Sequence, residues 1–417
     1  MKTKQIYLLF ICTGLIASLA FASDPQSSGS SGRSISHPRA ATTPKPPTTA
    51  TMSSSYSSSN AQSRKEQSFT VGKGSSLDVS VTGCSILIKT SDKSEINVIA
   101  EGIHEEDMEY LKMTQSGDEV RVTYRPKWGN DNDGRFIITV PTQTKLELRT
   151  SGGDIELQGN LTGDAVGSTA GGDITIEKVK GMVRMATSGG DVRTGDIDGK
   201  ADLRTSGGNI ILASVNGEAT ISTSGGDIRI EKVAKKLDAR TSGGDIEVGD
   251  IGGDASLSTA GGDVRVGKVS GSAYLRTAGG DLKLKGASGT VEAKTAGGDI
   301  ELKNISGSIE ASTAGGNVNA ELNPSGKGES KLKTAGGDIK LTIPENAKAT
   351  IEATIRLREN GDWGGSPRRS KYEIRSDFAA ANYDKHEDEI HAVYTINGGG
   401  EMITLETVNG YIDIKKK

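Results

Sequence analysis

A carboxylate, or the amide that replaces it, returns about every 18 residues through the middle of this chain. Thr, then Ser or Ala, then Gly-Gly, then Asp or Asn, then Ile, Val or Leu is written eleven times. Its Thr falls at 150, 169, 187, 205, 223, 241, 259, 277, 295, 313 and 334, with one residue inserted in the first interval and three in the last. Stacked Asp beside paired glycines could build a calcium column, as in repeats patterned Gly-Gly-x-Gly-x-Asp every nine residues. Here one Asp appears per 18, and Asn209 and Asn317 replace it twice. What recurs is an acceptor oxygen rather than a charge, so no metal or other cofactor is expected. The phrase reads instead as turn chemistry. Paired glycines permit φ > 0 and let successive coils approach where a Cβ would collide, and the Asp accepts from turn amides. Gly152-Gly153-Asp154, Gly225-Gly226-Asp227 and Gly297-Gly298-Asp299 are three of these structural turns.

The other constellations are weaker. A ladder of exposed Thr would suit an ice surface, but strand parity turns this Thr inward, where its hydroxyl can bond the turn backbone. His386 and His391 flank Glu387-Asp388-Glu389 at a spacing that suits neither a strand face nor a helical zinc pair, so the segment reads as a solvated charged loop. Gly129 to Gly134 resembles half of a calcium loop but has Gly at the first ligand position and Val140 at the bidentate one; a hairpin turn between Val120–Tyr124 and Arg135–Val140 is the expectation. No nucleophile elbow, phosphate loop or metalloprotease motif is present, and the coils carry almost no insertions from which to build a catalytic cleft. Ligand contact therefore falls to aromatic rings. The repeats contain Tyr274 alone, so the flanking Tyr124, Trp128 and Trp363 are the candidate contacts.

Those residues must be positioned by the repeat. Counting from Thr as position 1, positions 6 and 8 are apolar and share a face, as in Ile228 and Ile230; position 11 is usually apolar and position 13 usually Gly. Positions 15 and 17 alternate once more, as in Ala255 and Leu257. Each coil is thus strand, turn, strand, turn, and a helix is excluded by the i+2 recurrence and by two glycine turns per coil. About five buried side chains at roughly 1.5–3 kcal/mol each do not offset the ordering of a coil at about 1–2 kcal/mol per residue. A coil must therefore stack on neighbours. The fold expected is an all-β parallel β-solenoid with about 18 residues per coil, capped at both ends by irregular β segments. Its boundaries are a signal peptide over 1–22, a disordered Ser/Thr/Pro-rich linker over 23–67, a β entry cap over 68–149, the repeats over 150–339 and a C-terminal cap over 340–417. Thr407-Val408-Asn409-Gly410-Tyr411-Ile412 reads as a degraded terminal coil, and Lys415-Lys416-Lys417 as a guard on an open edge.

Composition agrees with a solenoid. Only 33% of the 417 residues are hydrophobic and 4% aromatic, against 56 Gly. Lys2 and Lys4, the apolar run Ile6 to Ala17 and the small residues around Phe21 predict cleavage after about Ala22 and a secreted or periplasmic protein, without a transmembrane segment in the mature chain. Loss of the two lysines takes the formal charge from −4 to −6, which disfavours nucleic acid as a partner. Cleavage also removes Cys12, leaving Cys84 without a disulfide partner.

Phe136-Ile137-Ile138-Thr139-Val140-Pro141, leading into Lys145 to Ile155, together with the closing Ile396 to Gly400 and Leu405 to Ile412, resembles the bacterial putative-adhesin β-repeat domains of unknown function, the GIN-like heads of auto-transporter adhesins. The resemblance spans about residues 68–417. It implies an extracytoplasmic β-solenoid and, for some members, a link to envelope stress; it carries over no catalytic or ligand residue. The function expected is a non-catalytic adhesion or binding module of the cell envelope, with a cell-surface glycan or envelope protein as its partner. The alternatives are an envelope-stress or structural periplasmic protein and, more remotely, a glycan-active β-helix enzyme.

Overall fold

In the coil that begins at Thr223, Ile228, Ile230 and Val233 point inward from the strand Ile228–Val233, and Leu237 and Ala239 from Leu237–Arg240. The intervening residues face solvent, with a period of two broken once at Glu231-Lys232, where two successive residues face outward. Each layer repeats this scheme. Ile210, Ile228 and Ile246 pair in parallel register, as do Ala219, Leu237 and Ala255. The six-residue strands thus build one face of the solenoid and the four-residue strands the other, with neighbours about 4.8 Å apart. The computed structural model describes residues 62–127, 134–324, 326, 328–358 and 371–417. The expected signal peptide, most of the linker, Trp128 and Trp363 lie outside them. Among the described residues no helix is long and apolar enough to cross a membrane.

The entry region is more regular than the sequence suggests. Ser75–Val81 and Ser85–Ser91 form a coil in register with the repeats, Val81 lying beside Thr150 and Ile86 beside Ile155. Glu119–Tyr124 and Arg135–Pro141 form another on its outer side, with Tyr124 beside Val81 and Phe136 beside Ile86. The expected hairpin between these last two strands is absent, because they flank a solenoid corner and lie in different sheets. Antiparallel strands Leu111–Ser116 and Glu95–His104 then cover the two faces, and Gln62–Thr70 covers the latter. Strand therefore begins at Gln62, inside the expected linker. An edge strand needs little more than backbone pairing, which its polar composition does not betray.

The other end is built the same way. Glu401–Val408 and Ile412–Lys416 do not terminate the stack. They slot between the last repeat, Ser330–Thr334 with Ile339–Ile343, and an outer layer of Ala349–Arg356 with Ile374–Ser376. Antiparallel Glu389–Ile396 and Asn382–Lys385 complete that face. At each end, then, the chain skips a layer that another segment fills. The terminal lysines guard no open edge: Lys415 pairs with Asp377 at 3.2 Å, Lys416 with Glu345 at 2.8 Å and Lys417 with Glu321 at 3.3 Å. The outermost strands are instead blunted by charge, with Arg64, Lys65 and Glu66 at one end and Asp384 and Lys385 at the other.

If each layer is interchangeable, deleting 223–240 joins the coil before Thr223 to Thr241 with every inward position kept, and the protein folds shorter by about 4.8 Å. Deleting 223–231 sets turn glycines over strand positions and exposes apolar faces. Circular dichroism and thermal unfolding are expected to show a cooperative transition for the first deletion and a collapsed or multi-phase one for the second. Equal tolerance of both contradicts the register.

Candidate functional site

The recurring corner is the most ordered chemistry in the molecule. Every repeat Thr is buried. Thr187 Oγ1 donates to the Gly172 carbonyl at 2.8 Å and accepts from the Gly190 amide at 3.3 Å. The donation recurs from Thr150, which bonds Cys84 at 2.7 Å, through Thr334 to Thr407, which bonds Gly337 at 2.7 Å. The Asp accepts a turn amide, as expected, but not one in its own coil. It serves the next layer rather than its own turn: Asp173 Oδ1 accepts the Asp191 amide at 2.8 Å, Asp191 Oδ1 the Asn209 amide at 2.7 Å, and Asn209 Oδ1 the Asp227 amide at 2.8 Å. Ser85 Oγ starts this ladder by accepting from Asp154, and Tyr411 ends it by donating to Asp338. Asn209 and Asn317 keep it unbroken because only Oδ1 is needed.

The corner oxygens are engaged by the protein itself. The Oδ1 atoms are occupied by amides, and several Oδ2 atoms hold position-7 arginines: Arg193 with Asp191 at 2.5 Å, Arg229 with Asp227 at 2.9 Å and Arg265 with Asp263 at 2.5 Å. The glycines act through space alone. Neither glycine of a repeat pair has φ in the left-handed region, contrary to expectation. A Cβ on Gly226 would instead lie 2.0 Å from the Gly208 carbonyl oxygen, whereas one on Gly225 would lie 3.4 Å from that of Gly207. Gly152, Gly153 and Asp154, Gly225, Gly226 and Asp227, and Gly297, Gly298 and Asp299 are thus corner elements of the stack.

Of the expected ligand contacts, Tyr124 is fully buried, its ring 6.1 Å from that of Phe136 and tilted to it. It occupies the inward column that holds Thr in the repeats, so it offers nothing to a ligand. Cys84 is also buried, and burial pushes its thiol up to about 12, leaving it unreactive.

Two open grooves lie on the four-residue-strand face. The larger, about 430 Å³, is at the C-terminal end, where the expected charged loop is a hairpin that brings His386 and His391 to one polar surface with Glu352 and Glu406. Its strand pairing was hidden by the acidic run at the turn. His391 Nε2 lies 3.1 Å from Glu352 Oε1. Burial raises the Glu406 carboxyl, but the Lys333 hydrogen bond at 2.7 Å and nearby Lys331 and Arg356 outweigh it and hold the group below its ordinary value. Glu406 is therefore an anion at neutral pH and a poor proton donor. The smaller groove, about 240 Å³, runs between Arg240 and Tyr274. Among the described residues no group of His, Cys, Asp and Glu is arranged to hold a metal ion.

A family model described as Toastrack DUF4097 matches residues 75–250 and 231–363, together 75–363, or 289 of 417 residues. The chain belongs to the Toastrack family, DUF4097. The match starts at Ser75, where parallel stacking begins. The resemblance to adhesin-type β-repeat domains of unknown function agrees with the solved structures. A "putative adhesin" from Bacteroides fragilis is 13% identical over 85% of this chain and 97% of its own, with a TM-score of 0.21. One from Parabacteroides distasonis is 14% identical over 63% and 98%, with a TM-score of 0.29. A "putative lipid binding protein" from the same species is 12% identical over 85% and 97%, with a TM-score of 0.18. At these values neither adhesion nor lipid binding transfers to this chain. No curated protein matches it. The Toastrack assignment brings no catalytic family with it.

The Glu406 geometry fixes the sign of a pH effect. A lowered folded pKa stabilises above the unfolded value, and that contribution is lost as pH falls from the ordinary carboxylate range through the lowered one. Glu406→Gln should therefore cost about 0.2–1 kcal/mol at neutral pH, the range of partly exposed ion pairs, and progressively less on acidification. Thermal melts of both proteins from pH 7 to below pH 4 check this; a gap that widens in acid contradicts it.

Proposed function

We propose that this Toastrack protein is a non-catalytic binding module of the bacterial cell envelope, held outside the cytoplasm, whose solenoid is a rigid rod that presents side chains to a cell-surface glycan or envelope protein. One observation carries the reading. Inward positions repeat from coil to coil, while the outward columns change at almost every step. Position 16 runs Arg184, Asp202, Thr220, Asp238, Ser256, Tyr274, Glu292, Glu310, and position 7 runs Arg193, Ile211, Arg229, Glu247, Arg265, Lys283, Glu301. A rod that served only as a spacer would need no such variety. The grooves support binding over turnover because both are shallow and open to solvent, and the Glu406 carboxyl is set against proton donation. Placement outside the cytoplasm rests on the composition of residues 1–22.

The test combines fractionation and protease shaving of intact cells with incubation of the purified full chain on immobilised cell-wall and polysaccharide fractions. Extracytoplasmic recovery, retention on a fraction and no release of reducing ends are expected. Recovery from the cytoplasm, or release of soluble sugar products, contradicts the proposal. Periplasmic recovery with no retention on any fraction favours the envelope-stress or structural alternative.

A further inference from the structure

The smaller groove departs from the pattern of the coils that lead up to it. In the coils two and four layers before it, positions 16 and 18 carry an internal ion pair: Arg240 lies 2.9 Å from Asp238, and Arg204 Nε lies 2.9 Å from Asp202. Here the motif becomes Tyr274-x-Arg276. Tyrosine supplies no carboxylate, and no neighbour replaces it. Arg149, Arg184, Arg193, Arg229 and Arg265 also hold a carboxylate each. Among the described arginines on the repeat strands, Arg276 has no such partner. Lys294 in the next coil is taken up by Glu292 at 2.7 Å and Glu310 at 2.8 Å.

The same step opens a space. Ser256 and Ser258, in the coil between Arg240 and Arg276, are the smallest pair in these columns and form a hydroxyl-lined floor. The walls are Arg240 on one side and Tyr274 with Arg276 on the other, two layers or roughly 9–10 Å apart, and the Glu292–Lys294 pair of the next coil, its charges mutually neutralised, lines the far rim. Tyr274 is 48% exposed, a large ring standing among the polar and charged residues of the neighbouring coils. A flat ring beside an unpaired guanidinium, over hydroxyl donors, is the combination that recognises a pyranose bearing a carboxylate. The sugar's apolar face packs on the aromatic face, the carboxylate takes the fork of the guanidinium, and the ring hydroxyls meet serine.

We infer that the Tyr274–Arg276 groove binds a uronic-acid residue of an anionic polysaccharide. This rests on the binding-module reading and gives it a site and a ligand class. It also moves the contact from the flanks, where the aromatic residues alone would place it, to the middle of the solenoid.

The experiment is affinity electrophoresis of the full chain in gels containing polygalacturonate, with dextran as the neutral polymer. The variants are Tyr274→Asp, which rebuilds the Asp-x-Arg pair of the neighbouring coils and so keeps the fold, Arg276→Ser, and Arg229→Ser on the opposite face as a control. Melting temperatures establish that each is folded. The wild type and Arg229→Ser should be retarded by polygalacturonate and not by dextran, with the apparent affinity falling about tenfold or more in Tyr274→Asp and Arg276→Ser. No retardation of the wild type, equal retardation by dextran, or unchanged affinity in both groove variants overturns the inference. If polygalacturonate fails while another envelope fraction is retained, the groove assignment falls and the binding module stands.

Discussion

The carbonyl oxygen of each repeat's second glycine sits where a Cβ on the same glycine of the next layer would have to be, at separations such as 2.1 Å for Gly190 over Gly172 and 2.0 Å for Gly226 over Gly208. No real side chain tolerates that distance, so backbone is laid directly on backbone at this corner. The same carbonyl receives the hydroxyl of the next Thr, and the adjoining Asp reaches up to the next amide. Close approach and hydrogen bonding are therefore one arrangement. The glycine brings the layers together, and Thr and Asp satisfy the polar groups that the approach buries. Because the close approach is made between layers, stability accumulates along the stack rather than residing in any coil.

This constraint divides the surface from the interior. Positions that build the corner and the apolar columns keep their chemical type; outward positions between them are free to change, and they carry the charges, the exposed Tyr274 and the two grooves. Both ends solve the remaining problem of an exposed parallel ladder by interleaving chain segments. The coil from Ser75 sits beneath a later layer, and the coil from Glu401 is slotted inside an earlier one.

Much of this was legible in the sequence for a physical reason. A period of 18 with fixed inward residues leaves one parallel register, and strand parity alone places Thr inside. The ends were less legible because their layers are assembled from distant segments: nothing local to Tyr124 says that it will stack on Val81, and nothing in Asn409-Gly410 says that Ala349–Arg356 will cover it. The role of the glycines was read half correctly. Doublet spacing reveals a need for small residues, but does not separate a left-handed φ from a steric contact with the next layer. Ring type alone does not disclose burial, and so does not separate the enclosed Tyr124 from the exposed Tyr274. The sharper signal was the replacement of Asp by Tyr in an Asp-x-Arg pattern, which strands a cation.

Backbone contact between layers at the second glycine holds the solenoid together. This is tested most directly by comparing Gly225→Ala with Gly226→Ala in thermal and denaturant unfolding. At Gly225 the added methyl group meets the Gly207 oxygen at 3.4 Å, and the entropy removed from the unfolded chain offsets a mild contact. That variant is expected within about 1 kcal/mol of wild type. At Gly226 the methyl group has no space, and the loss should reach about 3 kcal/mol or more, as in severe overpacking. Equal, small effects at the two adjacent glycines would contradict the account.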